Sequence, residues 1–292
     1  MKKFLIRTLS GAVYVLIVVG TIYAGRLTNN ALLGSLIFAA VFFIIGMIGI
    51  HEYVHNLELK GVKSNKPMAY VAGIATYCGH IVTLMTSGLW ALDSHHIVSA
   101  IYAAAIALAL LIPVLYLTTF IIQLWRDDKE PFTTVGHTLL PSIWIMTPLA
   151  LLNTVQQLSA GLTMMIFILI WVNDSFAYMT GMLLGKHKMW ERHSPNKTWE
   201  GTIGGALFCI AAAILAGPHF DADTHVAGWA VIGLICSVAG TLGDLVESMF
   251  KRYCGVKDSG KIMPGHGGVL DRFDSILMTV PFVMLIIGIL NM

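Results

Sequence analysis

The sequence predicts an all-α, polytopic integral membrane protein with about nine transmembrane helices. Composition is the first reason. Of 292 residues, 57% are hydrophobic and only 12% are charged, against roughly 45–50% and about 25% in soluble domains. So little charge cannot cover a water-facing surface, which excludes a soluble enzyme, a nucleic-acid-binding domain and a disordered chain. Run length is the second reason. The apolar stretches approach the roughly 20 residues that a helix needs to cross hydrocarbon, and they lack the short alternating segments of a membrane barrel. The third reason is the one-sided placement of basic residues described below.

Nine segments read as spans: residues 8–25, 31–50, 68–87, 97–122, 138–153, 162–185, 202–217, 227–250 and 275–291. The first follows Met1-Lys2-Lys3 and resembles the start of a signal peptide. Its end, Thr21-Ile22-Tyr23-Ala24-Gly25, has bulky Ile22 where cleavage wants a small side chain, so it reads as a retained helix. The fifth and seventh segments are short, which leaves a range of eight to ten. No repeat, linker or soluble domain is evident. Residues 1–292 therefore read as one membrane domain, in which helices up to about 160 carry little chemistry and the part from about 162 to 292 carries the motifs. Cys78, Cys209, Cys236 and Cys254 are scattered, with no CxxC pair, and read as packing residues.

Of the 18 Lys and Arg residues, 17 fall in the N-terminal tail and the second, fourth, sixth and eighth loops; Arg26 is the exception. With nine helices these segments share one face, which the positive-inside rule makes cytoplasmic. The N-terminus is then cytoplasmic and residue 292 external.

Half of the 34 charged residues lie in two windows, 171–201 and 244–274. In the second, Asp244, Glu247, Ser248 and Lys251 fall at i, i+3, i+4 and i+7, on one helical face. Asp271 and Asp274 form another i, i+3 pair where the chain re-enters the membrane. Between them runs a loop with five glycines and Lys257, Asp258 and Lys261. Glycine lets backbone N–H groups approach an anion, and Lys and Arg neutralise it. Carboxylates at both ends of such a loop suit a hard divalent cation shared with phosphate oxygens. In the first window, Asp174 sits near the middle of a span, which by default marks a functional site. Ser194-Pro195-Asn196-Lys197-Thr198 reads as a rigid turn before a helix, whose N–H groups and Lys197 suit phosphate; an ordinary helix cap is the plainer reading.

The run Ser248-x2-Lys251-Arg252-x4-Lys257-Asp258-x-Gly260-x3-Pro264-Gly265-His266-Gly267-Gly268-x2-Asp271-Arg272-x-Asp274 closely resembles the signature of the phosphatidate cytidylyltransferases, or CDP-diacylglycerol synthases. Asp174 to Tyr178 and the Ser-Pro-x-Lys-Thr-x-Glu-Gly stretch resemble that family's other polar segments. The resemblance implies a reaction: CTP plus phosphatidate gives CDP-diacylglycerol and pyrophosphate. It also implies Mg²⁺ dependence with one or two ions, a homodimer, and a site on the cytoplasmic side of the cell membrane. Matched by position, Asp244 and Asp271 are the implied metal carboxylates, with Lys251, Arg252 and Arg272 beside them as phosphate-contacting groups. Ser194, Lys197, Thr198, Lys257, His266, Gly267 and Gly268 are the implied phosphate-binding residues. Asp174, Glu247, Asp258 and Asp274 stand second, as further ligands or as partners of the basic groups.

Two features point to other classes. His51-Glu52-Tyr53-Val54-His55 is an HExxH, the zinc pattern of metalloproteases, including some that place it within a membrane. A working site also needs a third protein ligand, and no segment supplies a matching motif. Intramembrane Asp174 and Asp244 would suit an ion-coupled transporter, but the expected inverted repeat is missing and the Gly-rich basic loop would be left unexplained. The topology is checked by single cysteines at Lys60, Trp190 and Asp258, which should label from the cytoplasmic side, and at Asp93 and Ala222, which should label from outside. Labelling of positions 190 and 258 from opposite faces would break the shared-site reading.

Overall fold

The computed structural model describes residues 2–86, 112–265 and 267–290. Its helices are α1 (Lys2–Ile22), α2 (Ala24–Leu27), α3 (Ala31–Lys60) and α4 (Lys66–Thr86), then α5 (Ile112–Leu124). They continue with α6 (Pro131–Pro141), α7 (Thr147–Leu158), α8 (Ala160–Leu184), α9 (Trp199–Phe220), α10 (Val226–Cys254) and α11 (Leu270–Leu290). Among the described residues six stretches are long and apolar enough to cross a membrane: Ala31–Lys60, Lys66–Met85, Pro131–Leu158, Ala160–Leu184, Trp199–Phe220 and Val226–Cys254. The expected span 97–122 lies partly outside the described residues; α5 is its described part.

Several expected boundaries shift for identifiable reasons. Helix α3 runs past residue 50 to Lys60, because nothing breaks it before Gly61, which closes the helix in the left-handed region at φ 79°. The short span expected at 138–153 is the middle of Pro131–Leu158. There Pro141 sits inside the helix, and Ser142–Met146 continues it as a π-helical turn. Proline has no N–H to give the ladder, and a wider turn absorbs the mismatch without ending the helix. The stretch Ser194–Thr198, expected as a turn, is a strand, β2. It pairs antiparallel with β1 (Lys188–Trp190), Lys188 opposite Thr198 and Trp190 opposite Ser194. The all-α architecture therefore carries one small hairpin.

The chain divides into two compact units. The unit of Tyr23–Gln157 holds α2 to α7. Phe38, Phe42 and Tyr53 of α3 are fully buried in it. Inside it, Tyr77 Oη donates to the Ala39 carbonyl at 2.8 Å and accepts from Asn153 Nδ2 at 2.8 Å.

The other unit joins residues up to Ile22 with those from Leu158 onward, and so combines α1 with the hairpin and α8 to α11. Within it α8 packs on α9, α9 on α10 and α10 on α11. Small residues set these distances, as is usual where lipid supplies no hydrophobic drive between helices. A Cβ on Gly243 of α10 would stand 2.5 Å from the Asp274 carbonyl oxygen and 3.0 Å from the Ser275 Cα of α11. The Ser275 hydroxyl seals the same crossing by donating to the Gly240 carbonyl at 3.1 Å. Gly243→Val should therefore force the two helices apart and cost about 1–3 kcal/mol, the range for overpacking. It should lower the thermal unfolding midpoint in detergent. Gly136→Ala, at a helical position with nothing within 4 Å, should leave it unchanged or raise it.

Candidate active site

Helix α10 presents its predicted polar face as one row. Ser248 Oγ donates to Asp244 Oδ1 at 3.3 Å, and the Lys251 ammonium is ion-paired with Glu247 one turn earlier. Lys251 also reaches Asp271 Oδ1 of α11 at 2.7 Å, and so ties the two helices together. From the hairpin, Lys197 Nζ lies 2.7 Å from Asp244 Oδ2 and donates to the Thr241 carbonyl at 3.2 Å. Each of these lysines is partly buried, at 23% side-chain exposure for Lys197 and 15% for Lys251. Such pairs are far less screened than surface ones.

The Gly-rich loop folds back onto Asp271. Its Oδ2 accepts from the Ser259 N–H at 2.9 Å, the Ser259 hydroxyl at 2.9 Å and the Gly268 N–H at 2.7 Å. Gly267 has φ 88°, and a Cβ there would stand 2.4 Å from Asp271 Oδ2, so glycine is required on both counts. Met263 and Gly267 exchange backbone hydrogen bonds at 3.0 and 3.1 Å and pin the turn between them.

Asp244, Glu247 and Asp274 bring carboxylate oxygens within 4.8 Å of one another. Glu247 is fully buried, and its Oε1 has no hydrogen-bond partner among the described residues. An all-oxygen set with one buried, unmatched acceptor fits a hard divalent cation. Asp271, expected beside Asp244 as a metal carboxylate, stands outside this trio because Lys251, Ser259 and Gly268 already engage both its oxygens.

Two cavities adjoin the carboxylates. One, of about 320 Å³, is lined by Ser10 and Tyr14 of α1, Trp171 and Asp174 of α8, and Asp271 and Asp274, among others. The Tyr14 ring meets Trp171 and Phe273 edge-on, at 6.1 and 5.6 Å between centroids. The second, of about 840 Å³, is lined by Lys257, Asp258, Lys261 and Gly267, with Arg7 of α1 among the rest. Arg272 and Met263 line both.

The structure thus brings together Asp174, Lys197, Asp244, Glu247, Lys251, Asp271, Arg272 and Asp274, with Lys257 and Asp258 at the basic cavity. Arg252 is exposed and lines neither cavity. Thr198 Oγ1 accepts from Gly201 N–H at 3.2 Å as the cap of α9, the plainer of the two expected readings. Ser194 lies at the start of β2 opposite Trp190. His266 lies outside the described residues. Sequence reasoning counted Arg7 only toward topology and passed over Ser10, Tyr14 and Ser259. A lone Arg or Ser in the first turns of an apolar helix carries no local mark of a partner about 250 residues away.

The HExxH sits well inside α3. His51 and His55 are exposed with parallel rings, centroids 6.1 Å apart, and His51 Nδ1 is 3.2 Å from Tyr70 Oη. Glu52 is buried at 3% exposure. Among the described residues neither histidine belongs to a group of three convergent metal-ligating side chains, so the third ligand of a zinc protease is missing there.

The profile of the cytidylyltransferase family matches residues 5–290. The chain belongs to that family. Over 123 residues it is 51% identical to a phosphatidate cytidylyltransferase of Staphylococcus aureus (strain COL), which is 41% of this chain and 46% of the relative. Over 121 residues it is 46% identical to the phosphatidate cytidylyltransferases of Staphylococcus haemolyticus and Staphylococcus epidermidis, with the same coverage. The chain thus matches a little under half the length of these curated relatives. Membership does not favour the protease reading of the HExxH. His51→Ala and His55→Ala should each retain most cytidylyl-transfer activity. A hundredfold loss in folded protein, restored by zinc, would mean that the metal chemistry lies on α3 instead.

Proposed function

We propose that this protein transfers a cytidylyl group from CTP to phosphatidate, giving CDP-diacylglycerol and pyrophosphate. The observation that carries the reading is the meeting of buried carboxylates, lysines and a Gly-rich basic loop at one pair of helix ends, α10 and α11. It is the arrangement needed to bring one phosphate onto another. The attacking group is a phosphate monoester with a second pKa of about 6, so it is largely dianionic at neutral pH and needs no activating base. Its oxygen forms a bond to the α-phosphorus of CTP while the bond from that phosphorus to the pyrophosphate oxygen breaks. The chain must hold two anions together and stabilise the leaving group. Lys197, Lys251 and Arg272 are the cations at the carboxylates, and Lys257 and Lys261 extend the positive field along the loop.

A divalent ion, read here as Mg²⁺, supplies Lewis-acid neutralisation of phosphate charge when bound. Two carboxylate sets suit it, and Asp244 belongs to both. The family resemblance pairs Asp244 with Asp271; the convergence of oxygens favours Asp244 with Glu247 and Asp274. We read the chain as one membrane domain of nine spans, its N-terminus and active site on the cytoplasmic side of the cell membrane. We read the assembly as a homodimer, as the family resemblance suggests.

The test is an assay of purified protein in detergent with labelled CTP and phosphatidate across a Mg²⁺ series. Asp244→Asn keeps shape and removes charge, and it should cost about 10²–10³ in rate, the scale for losing one transition-state contact. If Asp271 is the second ligand, Asp271→Asn should lose a similar factor, partly recovered at high Mg²⁺. If the trio binds the ion, that recovery should belong to Asp274→Asn, and Asp271→Asn should be insensitive to Mg²⁺. Full activity of Asp244→Asn at low Mg²⁺ would remove the metal site from this cluster.

A further inference from the structure

The first turns of α1 are built into the Gly-rich loop that borders the site. Arg7 Nε donates to the Gly265 carbonyl at 2.9 Å, and Ser10 Oγ donates to the Pro264 carbonyl at 3.1 Å. Both acceptors lie in the turn pinned by Met263 and Gly267, with Gly265 itself at φ 79°. A guanidinium has five N–H donors, and the bond to Gly265 uses one. The same side chain lines the 840 Å³ cavity with Lys257, Lys261 and Arg272, against the single carboxylate of Asp258. Four cations facing one anion around a glycine turn form a site for several negative charges in a row. Through Arg272 and Met263 this cavity abuts the one that holds Asp174, Asp271 and Asp274.

We infer that Arg7 is a substrate-binding residue: its guanidinium, aimed by the bond to Gly265, contacts a phosphate group in the basic cavity. The ligand class is a phosphate ester, the polyphosphate of the nucleotide or the headgroup phosphate of the lipid. This rests on the cytidylyltransferase reading, from which it differs by adding a residue from the opposite end of the chain. Arg7 has two separable functions here, a hydrogen bond that braces the turn and a charge that meets phosphate. Arg7→Lys keeps the charge and loses the forked geometry; Arg7→Gln keeps polar bulk and loses the charge; Ser10→Ala removes the other brace and no charge.

The experiment uses the full chain in detergent. Equilibrium binding of labelled CTP without phosphatidate is measured for each variant, together with the KM for CTP and for phosphatidate. A charge-assisted hydrogen bond to phosphate is worth enough that Arg7→Gln should weaken binding of its ligand about tenfold or more. Arg7→Lys should recover much of that loss, and Ser10→Ala, which removes a brace and no charge, should weaken binding clearly less than Arg7→Gln does. A rise in the dissociation constant and KM for CTP alone identifies the polyphosphate as the ligand; a rise in the KM for phosphatidate alone identifies the lipid headgroup. Either supports the inference. It is overturned if Arg7→Gln changes neither, or if Arg7→Lys and Ser10→Ala both match Arg7→Gln, which would make bracing the whole role. A parent protein that binds no CTP would instead overturn the functional reading itself.

Discussion

The close approach of α10 and α11 at Gly243 is the constraint from which the site follows. With a side chain at that position the helices would part, and the Asp274 backbone could not lie against α10. Because they touch, Asp244 and Glu247 face Asp274 across the seam, and Lys251 spans it to Asp271. Bringing carboxylates together in an apolar bundle is unfavourable in itself, since each resists leaving water and each repels the others. Lys197 and Lys251 offset part of this, each paired with carboxylates from the same cluster. Backbone N–H groups and the Ser259 hydroxyl offset another part at Asp271. The remaining negative charge around the trio is what a divalent cation would match.

The fold was legible where its causes are local. Apolar runs gave α4, α8, α9, α10 and α11 to within about five residues at each end, and the face of α10 followed from the 3.6-residue repeat alone. What escaped had causes that lie elsewhere in the chain. The span expected at 138–153 extends to Pro131–Leu158, and the helix passes Pro141 because a π-helical turn absorbs the missing donor. Ser194–Thr198 has the composition of a turn, but pairing with Lys188–Trp190 makes it a strand. Glu200 holds that hairpin by accepting from the N–H groups of Lys186 and His187, at 3.1 and 3.2 Å. No pattern within the five residues could announce it.

The site divides in the same way. Its acidic and basic members stood out because charge is rare in this chain and was concentrated in two windows. Which carboxylates converge did not follow from spacing. Asp271 and Asp274 are one helical turn apart, yet Asp271 is taken up by the loop and Lys251 while Asp274 joins the carboxylates of α10. Only the three-dimensional path of the Gly-rich loop separates them. Arg7 shows the limit most plainly, because its meaning depends on Gly265, in a turn that forms far from it in sequence.

That pairing has a consequence for biosynthesis. The unit that bears the site is interrupted: α1 is made first, residues 23–157 follow, and only afterwards do α8 to α11 appear. Arg7 and Ser10 are therefore synthesised long before the carbonyls of Pro264 and Gly265 exist to receive them. Lys251 must likewise wait for Asp271. During translation both cavities stay incomplete until the Gly-rich loop and α11 have been made. The bonds from α1 to the turn thus close the unit across its interruption, and they can form only late in synthesis.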